Sequence, residues 1–152
     1  MKVILGIFAA FAVSQSFAAE QIAPNMYTCV GKDAEVHYTT TSFAGKPTFG
    51  ATVDGDEAKL PSFPELQVTQ SLIGTLVTAR DMHMVPVDGP ERRYTLVLPY
   101  VSLDKPFAKV KFDTIVVKGS VANPFFHGPG KSGPGVRNEI YPVECEATQV
   151  VF

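Results

Sequence analysis

"VECEATQVVF", Val143 to Phe152, is the stretch on which the fold turns. Val143, Cys145 and Ala147 fall on one side of a period-two pattern, and Glu144 and Glu146 on the other. Alternation of apolar and charged residues marks a strand with one face on a core and one in water. The cysteine sits on the apolar side, so this strand carries a sulfur into the core. The one other cysteine, Cys29, lies in "MYTCVG", a short apolar run near the opposite end of the chain. An even cysteine count in an exported chain reads as a disulfide. A Cys29–Cys145 bridge then pins the first strand to the last. The alternative, a pair of metal or redox ligands, lacks the close second cysteine of a Cys-x-x-Cys motif.

The same alternation recurs upstream. In "AEVHYTT", Val36 and Tyr38 oppose Glu35, His37 and Thr39. In "TFGATVDG", Phe49, Ala51 and Val53 share a face before Asp54-Gly55, a dipeptide that tolerates the positive φ of a tight hairpin. "MHMVPVDG" ends in a second Val-Asp-Gly, Val87 to Gly89, with "RRYTLVLPYVSL" as its partner; Pro99 there marks an edge, a bulge or a strand end. In "FAKVKFDTIVV", Ala108, Val110 and Phe112 oppose Lys109, Lys111 and Asp113. Proline and glycine punctuate these runs, and only "SFPELQVTQSL", after Ser62, reads as holding a helical turn. About eight short strands without helical periodicity predict an all-β fold, an antiparallel β-sandwich or small closed β-barrel with one disulfide. The rival, an eight-stranded outer-membrane barrel, fits the chain length and the terminal Phe152. It fits poorly with strands read at about 5–7 residues where roughly 9–11 are needed to cross. It also lacks tryptophan and puts Phe152 on the face of Glu144 and Glu146.

The chain opens "MKVILGIFAAFAVSQSFAAE". Lys2, the apolar run Val3 to Val13, and small residues at Ser16 and Ala18 spell a secretory signal peptide, residues 1–18, cleaved after Ala18. The run is too short for a membrane span of roughly 20 residues. Residues 19–152 are then one secreted β domain, periplasmic or extracellular, that does not span a membrane once the leader is gone. The formal net charge of −2 and the lack of a basic patch leave no basis for a nucleic-acid partner.

"FFHGPGKSGPG", Phe125 to Gly135, contains Gly-Lys-Ser. A phosphate-binding loop requires glycine five residues before the Gly-Lys-Ser glycine, and that position, relative to Gly130, is Phe125. Pro129 and Pro134 delete backbone donors, and no helix starts after Ser132 because Gly133-Pro134-Gly135 follows. No nucleotide is expected. The stretch instead reads as a long connection between a strand ending near Val121 and one starting near Ile140. Long connections without secondary structure are either surface loops tucked back on the core or functional. The functional version presents Phe125, Phe126, His127, Lys131 and Arg137 to a protein or cell-surface partner.

Met82, His83 and Met84 offer thioethers and imidazole, which suit copper, yet period two puts the methionines opposite the histidine. "DGDE", Asp54 to Glu57, lacks the spacing and distal glutamate of a calcium loop. Glu144 and Glu146 share a face without a third group to work with. No nucleophile elbow, zinc spacing or dinucleotide fingerprint is present. The sequence therefore points to an exported, non-catalytic binding domain with no cofactor predicted. A periplasmic copper-binding protein using Met82, His83 or Met84 is the alternative, and an enzyme of unassigned class a further one.

Overall fold

The computed structural model describes residues 21–42, 44–58, 65–81, 91–121 and 137–151. These form nine strands, and the described residues contain no helix. In chain order they are β1 Met26–Val30, β2 Ala34–Thr39, β3 Thr48–Val53, β4 Asp56–Ala58, β5 Glu65–Gln70, β6 Thr75–Asp81, β7 Glu91–Leu98, β8 Lys109–Val121 and β9 Arg137–Thr148. All belong to one antiparallel sheet ordered β4-β3-β2-β1-β9-β8-β7-β6-β5. Two meanders, β1 to β4 and β5 to β8, are thus joined by the last strand, which slots between β1 and β8.

The connectivity forces this sheet to curl. β4 and β5 are its two edges, yet only residues 59–64 link them. A flat sheet of this width would hold its edges about 38 Å apart at ~4.8 Å per strand. Seven Cα–Cα steps reach at most about 25 Å. The edges must bend towards one another, and the described strands form one curled sheet, a half-barrel. All-β, antiparallel and disulfide-linked therefore hold, and the described strands make a single curled layer whose concave face is the core; neither a second sheet nor a β4–β5 ladder is present among the described residues.

The expected alternation sets that face. Val36 and Tyr38 on β2, Phe49, Ala51 and Val53 on β3, and Val143, Cys145 and Ala147 on β9 are all buried. They meet Val77, Ala79, Tyr94, Leu96 and Val116 from the second meander in one cluster. Cys29 and Cys145 face each other across the β1–β9 ladder and are bonded, both fully buried. On the outer face Lys111 donates to Glu144 at 3.0 Å and Lys109 pairs with Glu146 at 2.7 Å. Both are cross-strand pairs at the surface, with Glu146 partly covered, and of small energetic weight.

Two expectations about element boundaries need correction. The helical turn read after Ser62 is strand β5, paired with β6 from Glu65↔Arg80 to Gln70↔Thr75. Pro64 stands just before it and β-branched Val68 and Thr69 lie within it, which suits a strand better than a helix. β8 and β9, at 13 and 12 residues, are about twice the expected length, because each pairs on both sides along different parts of its run. The Asp54-Gly55 hairpin forms as expected, with φ of 51° and 75°, the two positive values of a type I′ turn. Pro99 follows the last residue of β7 and ends it. The second Val-Asp-Gly, Val87 to Gly89, lies outside the described residues.

Candidate functional site

Because neighbouring strands alternate in direction, one end of the half-barrel collects the starts of β1, β3, β6 and β8 and the ends of β2, β5, β7 and β9. This end is an open mouth. Its first wall comes from the chain entering β1. Asn25 is tied to the strand leaving β9: its amide donates to the Thr148 carbonyl at 3.0 Å. Its side chain donates to the Val150 carbonyl and accepts from the Val150 N–H, both at 2.7 Å. Thr40 N–H in turn donates to the Asn25 carbonyl at 2.9 Å. A further bridge, Ile22 to Leu103, holds the chain one turn earlier. Ala23 and Pro24 are thereby fixed beside Tyr27, Tyr38 and Thr40.

The opposite wall comes from the β5–β6 hairpin and the exit of β7. Val68, Gln70, Thr75, Leu98, Pro99 and Tyr100 line it. The Tyr100 hydroxyl donates to the Ser71 carbonyl at 2.6 Å and lies 3.0 Å from the Gln70 side-chain oxygen, which also accepts from Thr75 at 3.0 Å. Between the walls is a cleft of about 390 Å³, within the range of small-ligand sites. Val68 faces inward by register, opposite fully buried Val77, yet is 43% exposed. The core is open to water at this seam.

Tyr27 and Tyr38 stack in the cleft with ring centroids 5.7 Å apart and planes 24° from parallel. Burial pushes the Tyr27 phenol up to about 12, with the neighbouring Tyr38 adding to it, and burial also raises Tyr38. Both hydroxyls stay neutral across the physiological range, so they act as hydrogen-bonding groups and not as bases. No lining residue of the cleft carries a charge. Such a site suits a neutral ligand with an apolar or ring-shaped body.

At the other end, a shallower hollow of about 340 Å³ lies between the β1–β2 and β3–β4 turns, among Lys32, Asp33, Glu35 and Asp54. Among the described residues no group of three or more His, Cys, Asp or Glu side chains converges as a metal site would require. Tyr141 points to this end. Burial and the Glu139 carboxylate, which accepts its hydrogen bond at 3.0 Å, push it up to about 12, with Asp54 and Asp33 contributing.

Of the residues singled out in the sequence, Cys29 and Cys145 are brought together and bonded. Arg137 is the first residue of β9, in register with Ser120. Phe125, Phe126, His127 and Lys131 lie outside the described residues, as do Met82, His83 and Met84. The registers Asp81↔Arg92, Glu91↔Val121 and Ser120↔Arg137 show where their connections attach. Both 82–90 and 122–136 leave and rejoin the sheet at the end away from the cleft. The cleft itself was not foreseen. Its two walls lie far apart along the chain, and only the core-facing parity of Tyr38 hinted at one of its members. Comparison with known proteins finds no family model, no curated protein and no solved structure that matches this chain.

Proposed function

We propose that the protein is an exported, non-catalytic binding domain that takes a neutral, largely apolar ligand or ligand side chain into the mouth of its half-barrel. The observation that carries this is the uncharged cleft walled by the Tyr27–Tyr38 stack on one side and Val68, Leu98 and Tyr100 on the other. The buried Cys29–Cys145 bond fits an oxidising compartment, periplasmic or extracellular, as the leader-like first eighteen residues do. Hydrogen bonds to Asn25 and Tyr100 hold both walls in place before any ligand arrives, which lowers the ordering cost of binding.

The test is a fragment screen by NMR with labelled tyrosine and valine. Neutral ring compounds should shift Tyr27, Tyr38 and Val68, and carboxylate or ammonium versions of the same rings should not. Thr40→Arg places a long cation on the exposed rim without touching the core and should abolish the shifts. Perturbations that map away from the cleft, or charged fragments that bind equally well, would end this assignment.

A further inference from the structure

Of the eight large apolar side chains exposed among the described residues, five gather at one end of the molecule, while Val30, Val68 and Ile140 lie elsewhere. Leu72 and Ile73, at the tip of the β5–β6 hairpin, are 102% and 75% exposed. Tyr100 stands beside them, its hydroxyl bonded to Ser71. Phe107, 68% exposed, and Val151 project from the β7–β8 connection and the chain leaving β9. These two segments adjoin, since Thr148 Oγ1 donates to the Ala108 carbonyl at 3.0 Å. All five side chains sit at the mouth end. The described turns at the other end are polar, Gly31-Lys32-Asp33 and Asp54-Gly55.

From this arrangement we infer that the mouth end docks on a lipid surface, with Leu72, Ile73 and Phe107 entering the headgroup–acyl boundary and Tyr100 at the interface. Turn tips that project singly need a matching pocket each on a protein partner. A fluid apolar medium accepts them without one, as interfacial anchors show. Two adjacent aliphatic residues at the tip of a two-residue turn also go against turn chemistry, which favours Asn, Asp, Ser and Gly. The charges agree. The exposed turns of the mouth end carry Lys46, Asp104 and Lys105, one net positive charge, in a chain of formal charge −2. The described turns of the far end carry Lys32, Asp33 and Asp54, and the segments attached there, 82–90 and 122–136, add Asp88 and Lys131 in sequence, which leaves one net negative charge. An anionic bilayer attracts the first end and repels the second. In this pose the uncharged cleft opens towards the lipid, but the docking stands on the exposed tips and not on the identity of the cleft's ligand.

The experiment is vesicle flotation of the chain beginning at Ala19, which keeps every described residue and lacks the apolar leader. Vesicles of phosphatidylcholine and phosphatidylglycerol should carry the protein up the gradient. Leu72→Ser with Ile73→Asn should weaken partitioning about a hundredfold or more, given the free energy of burying two such side chains. Val30→Ser, an exposed apolar residue at the far end, should leave it unchanged. Equal urea midpoints for the variants establish that the fold is intact. Absence of vesicle binding overturns the inference, and so does binding that salt abolishes and the tip variant leaves alone. A concentration-dependent dimer that the tip variant dissociates, without vesicle binding, assigns the same surface to a second copy and overturns the lipid assignment.

Discussion

The joint between the two meanders is narrow on one side. The β8–β9 ladder runs from Lys109↔Thr148 to Ser120↔Arg137, whereas β1–β9 runs only from Met26↔Thr148 to Val30↔Glu144. The disulfide sits within that short ladder and spans a sequence separation of 116. For a loop of this length the chain-entropy model gives about 5 kcal/mol. Domains of this kind have only about 5–15 kcal/mol in total. Reduction should therefore lower the urea midpoint by about 2–3 M at a slope near 2 kcal/mol/M. The slope itself should rise, because the unlinked denatured chain exposes more surface. The reduced protein keeps both sulfurs, so its deficit belongs to the cross-link. Cys29→Ala with Cys145→Ala should lose about 1 kcal/mol more per site through packing. Hydrogen exchange of the reduced protein should show β1, β2 and β3 opening before β6, β7 and β8, since only the short ladder then holds the first meander. A loss under about 1 kcal/mol with an unchanged slope would refute the entropic account. Uniform exchange across the sheet would refute the weak joint.

Other consequences are local. Phe107 has a φ of 62°, a left-handed conformation costly for a side chain with a Cβ, and it is exposed. Phe107→Gly should stabilise the fold by about 0.5–1 kcal/mol after the entropy of glycine is counted, as read by thermal unfolding. Gly74 has a φ of 152°, and a Cβ there would run into the Leu98 carbonyl and meet the Pro99 Cα at 3.0 Å. Gly74→Ala should therefore cost at least about 2 kcal/mol in urea unfolding and shift the Leu98–Pro99 wall of the cleft. Tyr27 holds its proton up to about pH 12 when folded, against 10.0 for the free phenol. Its contribution to stability is full below pH 10 and is lost as pH rises to 12, because the folded state binds the extra proton. Urea melts at pH 9 and pH 11.5 should show the fall, and Tyr27→Phe should flatten it.

What the sequence made legible was whatever depends on neighbours along one strand. Val36 and Tyr38, Phe49 to Val53, and Val143 to Ala147 announced their buried faces by alternation alone, since a strand on a one-sided core has no other way to sort its side chains. The disulfide followed from a cysteine count. The number of layers did not follow. A sandwich, a barrel and a curled sheet all present the same alternation, and only the strand order separates them. β5 was obscured because Gln67, Val68, Thr69 and Gln70 are all exposed on an edge, so its apolar–polar contrast is weak. The cleft was invisible for a related reason. It joins the entrance of β1 to a hairpin that begins some forty residues later, and no local pattern encodes that approach.

The open seam is itself a product of connectivity. Eight antiparallel steps separate the edge strands, so β4 and β5 run in the same direction. A ladder between them would be parallel, and parallel neighbours need a crossover of about a dozen residues or more. Residues 59–64 are half that. The link is short enough to draw the edges together and too short to let them zip. Val68 stays partly wet on the inward face of β5 for this reason, and the mouth stays open above it. Nothing in the composition of the cleft walls is needed to explain the opening. The residues set only the character of its lining, which carries no charge.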